Sequence, residues 1–125
     1  MATVILSVGS CGFDDSRLSR MLRENVGALL DRAHTAADAQ QMMGEKQYAL
    51  VLVNRVFDGD GDSGVDFIAS AKRAGHPTPM MLVSDYSDAQ RAAVENGALP
   101  GFGKSTMTTP DVINRIKTAI GATVA

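Results

Sequence analysis

Residues 48–57 read "YALVLVNRVF". Six apolar residues, Tyr48 to Val53, run into a single amide, Asn54, and the run then breaks at Arg55. An unbroken apolar run of this length suits a strand covered on both faces, as in the middle of a parallel sheet. The first polar residue then marks the strand's carboxyl end, where open parallel sheets place their sites.

Working outward, apolar runs alternate with helical patterns five times. "TVILSV" (3–8) reads as a second central strand, and "LLDRAHT" (29–35), of mixed polarity, as one nearer an edge. "PMMLVS" (79–84) and the glycine-weakened "PGFGK" (100–104) complete five. Between them, 16–25 places Leu18, Met21 and Leu22 on one helical face, with Asp14, Asp15 or Ser16 as N-cap. Residues 36–44 form a short helix with Ala36, Ala39 and Met43 inward and Gly44 as its stop. Residues 65–75 bury Val65, Ile68 and Ala69 and end at Gly75, and 88–97 form an Ala-rich helix. The last helix, 109–121, opens with Thr109 as cap and Pro110 at its first turn. It buries Val112, Ile113, Ile116 and Ile120 and stops at Gly121. Alternation of this kind implies one α/β domain over 1–125: a flavodoxin-like (βα)5 parallel sheet in the order 2-1-3-4-5, with helices on both faces.

Composition narrows the function classes. A net charge of −2 supplies no basic field for nucleic acid or an anionic membrane. A single cysteine, Cys11, excludes an intrachain disulfide and fits a reducing cytosol. No apolar run reaches the roughly 18–20 residues of a membrane span, and the N-terminal run lacks the preceding basic residues of a signal peptide. A cytoplasmic protein is expected.

The predicted ends of strands 1, 3, 4 and 5 carry Gly9-Ser10, Asn54, Ser84 and Lys104. Lys104 follows Gly97 by seven residues, and Gly64 opens the third helix. In these positions the chain resembles the receiver domain of bacterial response regulators, the CheY-like superfamily, over nearly its whole length. The resemblance implies an acidic pair after strand 1, a phosphoacceptor aspartate ending strand 3, a Ser or Thr ending strand 4 and a lysine ending strand 5.

Several positions depart from that pattern. Asn54 stands where the phosphoacceptor belongs, and an amide, with its delocalised lone pair, is no nucleophile. "VGSCGFDDS" lacks the acids where the resemblance puts them; Asp14 and Asp15 come about four residues late, as weak metal candidates that helix capping also explains. Magnesium wants near-octahedral oxygen including one or two carboxylates, so no metal or other cofactor is expected. Asp85 brings charge to a place the family keeps small, Ser105 replaces a proline, and Gly101 occupies the aromatic switch position. Together these imply a pseudo-receiver, not an enzyme, that works by binding a protein partner in a two-component-type pathway.

Other readings carry less. "DGDGDSG" (58–64) fails the EF-hand register, with Ser63 and Ala69 at its sixth and twelfth positions. "GSCGF" (9–13) lacks a P-loop's Lys-Ser/Thr, and a small flavodoxin-like ligand-binding protein or enzyme using this Gly loop, for a nucleotide or flavin, stays as a rival. A second rival is phosphorylation by an unusual route, on Asp58 or on a repositioned Asp14 or Asp15.

Three structural expectations follow. Lys104, deprived of family carboxylates, should pair with Asp85, near Asn54 and Ser84. The Lys104–Ser105 bond should be trans. The working face, for a partner or a homodimer, should be helix 4, strand 5 and helix 5, through Arg91, Ala92, Glu95, Phe102 and Arg115.

Overall fold

The computed structural model describes residues 3–124. Five strands, β1 (Thr3–Val8), β2 (Ala28–Ala33), β3 (Leu50–Asn54), β4 (Met80–Val83) and β5 (Leu99–Phe102), alternate with five helices. The helices are α1 (Gly12–Asn25), α2 (Ala36–Glu45), α3 (Gly64–Arg73), α4 (Ser87–Glu95) and α5 (Pro110–Val124). One 3-10 turn, Lys104–Thr106, follows β5. All pairings are parallel and the order is β2-β1-β3-β4-β5, as the alternation predicted.

Side chains alternate across each strand, so the sheet divides its apolar residues between two cores. Ile5, Leu50, Leu52, Met81 and Val83 pack with Leu18 and Leu22 of α1 and Val112 and Ile116 of α5. Leu6, Val51, Val53, Met80 and Leu82 pack with Ala39 of α2, Phe67 and Ile68 of α3 and Ala93 of α4. Among the described residues, no helix is long and apolar enough to cross a membrane.

Several boundaries differ from expectation for physical reasons. Helix α1 begins at Gly12, capped by Cys11 Sγ, which accepts from the Asp14 amide; the carboxylates expected as caps lie inside the first turn. Gly44 does not stop α2, which runs on to Glu45, and Gly121 does not stop α5; neither adopts the positive φ that ends a helix. Gly75 does, at φ +86, just past α3. Helix α3 buries Phe67, Ile68 and Ala71, while Val65 and Ala69 are half-buried. Thr109 caps α5 as expected, its Oγ1 accepting from the Val112 amide.

Candidate functional site

The carboxyl ends of β3 and β4 and the turn after β5 surround an open cleft of 640 Å³. Asn54, Ser84, Asp85 and Lys104 all line it, with Arg55, Val56, Phe57, Asp58 and Tyr86. Gly9 and Ser10, from the end of β1, are buried behind it. The strand ends singled out in the sequence thus meet at one cleft.

Asn54 is 8 % exposed. Its amide nitrogen donates to the backbone carbonyls of Gly9, at 3.3 Å, and Val56. The side chain therefore laces β3 to the loop after β1, a structural task that an aspartate, having no donor, would not perform. Ser84 Oγ accepts from the Tyr86 amide at 3.1 Å and turns the chain into α4. Behind Asn54 two close approaches fix the backbone. The Gly9 α-carbon, at φ +80, lies under the Phe57 ring, and a Cβ on Gly64 would fall 2.0 Å from the Asn54 carbonyl oxygen.

Lys104 does not pair with Asp85. Its Nζ meets Asp14 Oδ2 at 2.8 Å. The cause is the early start of α1, which turns Asp14 toward the lysine. Asp85 has other partners: Ser105 donates to its Oδ1 through Oγ at 2.6 Å and through its backbone amide at 3.4 Å. The serine in the proline position thus holds Asp85 itself. No peptide bond among the described residues is cis, so Lys104–Ser105 is trans as expected.

Asp15, 3 % exposed, turns the other way. It accepts from Ser7 Oγ and from Arg32 Nε, each at 2.6 Å, tying α1 to β1 and β2. The two acids that looked like caps are separate fasteners, one holding the cleft lysine and one holding the sheet. The spacing Asp14, Leu18, Leu22 continues the buried stripe of α1 backward by one turn, a signal in the sequence that would have found them.

The donor set does not suit magnesium. Asp14 is engaged by Lys104, Asp15 points to Arg32, and Asn54 offers only an amide. No group of three His, Cys, Asp or Glu among the described residues converges to hold a metal. Nor does the 9–13 loop cradle a phosphate: Phe57 fills the space over Gly9, and Asp14 and Asp15 carry negative charge in the first turn of α1.

Burial alone would raise the Asp14 carboxyl. Hydrogen bonds from Lys104 and the Cys11 thiol, with the charges of Lys104 and Arg17, overcome it and hold the group below its ordinary 3.8. A carboxyl lowered by folding contributes stability above its unfolded value, and that contribution is lost as pH falls through the folded value. Thermal unfolding of the chain and of Asp14→Asn should therefore differ at neutral pH and converge as the pH is taken below about 3.8. A gap that persists at low pH would show that the ion pair contributes nothing.

On the β4–β5 side, sequence reasoning missed Gln90. Its amide nitrogen donates to the carbonyls of Leu82 (2.8 Å), Ser84 (3.0 Å) and Phe102 (3.3 Å), and its oxygen accepts from the Gly101 amide at 3.2 Å. Arg115 donates to the Gly101 carbonyl from α5. No Cβ fits at Gly101, where one would lie 2.1 Å from the Leu82 oxygen. Gln90 thus binds α4 to both neighbouring strands at the position the resemblance gave to an aromatic switch. Arg91 and Glu95 are exposed on α4, and Ala92 is half-buried. Phe102 is not on this face: it is 4 % exposed and packs in the core with Met107, Val112 and Ile116, because the strand's inward alternation takes it under α5.

No protein-family model matches the chain, and no curated protein matches it. Solved structures do. A protein described as a response regulator from Chloroflexus aurantiacus J-10-fl superposes with a TM-score of 0.83 at 18% identity, covering 97% of this chain and 99% of that one. NtrX from Brucella abortus gives 0.74 at 18% identity; the match covers 99% of this chain and 27% of NtrX. The beryllofluoride-activated NtrC4 receiver domain dimer gives 0.73 at 20% identity, covering 96% and 94%. These likenesses establish the fold of response-regulator receiver domains.

Proposed function

We propose that this chain, built on the receiver fold, is a phosphorylation-independent module that acts by protein–protein contact in a two-component-type signalling pathway. One observation carries the reading. At the end of β3, Asn54 is committed through its amide to Gly9 and Val56, while the cleft lysine is neutralised by Asp14. No carboxylate nucleophile stands at that strand end, and no metal set accompanies it among the described residues.

Incubation with acetyl phosphate and Mg²⁺ should leave the intact mass unchanged. A gain of one phosphoryl group, labile to hydroxylamine, would overturn the reading and point to Asp58, one of the two exposed carboxylates lining the cleft. Asn54→Asp should not by itself restore efficient phosphorylation, because Asp14 and Asp15 stay engaged elsewhere.

The working face we assign is α4–β5–α5. Arg91, Glu95 and Arg115 border it, and Val94 and Leu99 are large apolar residues exposed on α4 and β5. Apolar centres with charged rims suit modest interfaces whose register is set by charge. The NtrC4 receiver, of the same fold, is described as a dimer. Arg91→Glu with Ala92→Glu should abolish self-association or partner binding while leaving the fold intact. Unchanged association would remove this face from consideration.

A further inference from the structure

The cleft has a chemistry of its own once phosphoryl transfer is set aside, and that reading is the premise here. Asn54 is more than nine-tenths buried, and both its amide protons have carbonyl partners. Its amide oxygen, in the cleft lining, accepts from no described residue. No buried polar side-chain atom among the described residues is left without a partner, so this oxygen is reachable from the cleft and open to a donor from outside. Asp58 also lines the cleft, and Asp85 spends only Oδ1, on Ser105.

The surroundings set the donor's charge. Asp58, Asp60 and Asp62 on the loop after β3, Asp85 on the loop after β4 and Asp88 in the first turn of α4 are all exposed. Lys104 is paired with Asp14, and Arg55 lies 4.6 Å over the Tyr86 ring. The acidity of these two loops exceeds the net −2 of the whole chain. Apolar surface adjoins it: Val56 is 42 % and Tyr86 59 % exposed, and both line the cleft. A free metal ion leaves that apolar surface unused, and an anion is repelled.

We infer that this cleft docks a basic, amphipathic segment of a partner protein. One cationic side chain sits against Asn54 Oδ1 and the carboxylates of Asp58 and Asp85, and apolar side chains cover Val56 and Tyr86. The Ser84 hydroxyl, whose oxygen accepts from Tyr86, has its proton available for a carbonyl of the same segment.

The test is a titration of the ¹⁵N-labelled full chain, without phosphodonor or Mg²⁺, so that its result is independent of the acetyl phosphate assay. The probe is a synthetic helical peptide of leucine and arginine, compared with peptides in which glutamate replaces arginine or serine replaces leucine. The Leu/Arg peptide should shift the Asn54 side-chain amide and the backbone of 55–62 and 84–88. Asp58→Lys with Asp62→Lys, both exposed, should leave the melting temperature unchanged and weaken binding about tenfold or more. The glutamate peptide should not bind, and the serine peptide should bind about tenfold less tightly. Shifts elsewhere, equal binding of either control peptide, or undiminished binding to the charge-reversed variant would overturn the inference.

Discussion

Gly64→Ala should be among the most damaging single-methyl additions to this chain. The added Cβ would stand 2.0 Å from the Asn54 carbonyl oxygen and 3.0 Å from Val53 Cγ1. The first of these is backbone at the end of the central strand and cannot rotate away. Helix α3 must lift from β3, and the Gly64 amide, which donates to the Arg55 carbonyl at 2.8 Å, moves with it. Overpacking a well-filled site typically costs about 1–3 kcal/mol, and a rigid backbone neighbour puts this case at the upper end. Ala is otherwise the better helix former, by about 1 kcal/mol, so a gain in stability would be the expected result if contact with Asn54 were unimportant. Urea unfolding separates the two outcomes. The Asn54 side-chain amide resonance should shift in the same variant, since its hydrogen bond to Val56 crosses the displaced segment.

Phe57→Ala should cost still more. Phe57 is 1 % exposed although it lies in a loop. Its ring covers Gly9, meets Phe67 edge-to-face at a centroid distance of 6.0 Å, and forms part of the cleft wall. Its amide and carbonyl hold the loop as well, bonding Asp62 and Gly61. Truncating a buried phenylalanine typically costs about 3–5 kcal/mol. Here the cavity would open directly behind Gly9 and Asn54. Phe57→Leu, which keeps most of the volume, should recover most of the loss. Equal losses for Ala and Leu would mean that the ring's contact with Phe67, not its volume, supplies the stability.

The fold was legible because three strands, β1, β3 and β4, are nearly pure apolar runs and all five are followed by a helix pattern. No local ambiguity survives five repeats of the same alternation. The strand ends were legible for the same reason, so Asn54, Ser84, Asp85 and Lys104 fell into one cleft. What failed was register within α1. Cys11 is a weak cap by residue type, and "GF" beside it reads as loop, whereas two aspartates before an apolar stripe read as caps. Starting the helix at Gly12 turned Asp14 to Lys104, and the pairing assigned to Asp85 went with it. Gln90 was invisible for another reason. A glutamine in an Ala-rich helix looks exposed, and only the missing Cβ of Gly101 across from it makes room for its amide.

Gln90 also bears on how such a module is regulated. Helix α4 cannot slide or turn against the sheet without giving up bonds to Leu82, Ser84, Gly101 and Phe102 together. An amide has no charge to gain or lose, so neither pH nor a nearby ion loosens the grip. On the proposed reading, occupancy of the cleft would then write no message on the α4–β5–α5 face, and the two surfaces would work as separate handles. The protein would join whatever holds each handle. Its influence would then scale with the number of copies present, and control would pass from covalent state to synthesis and turnover.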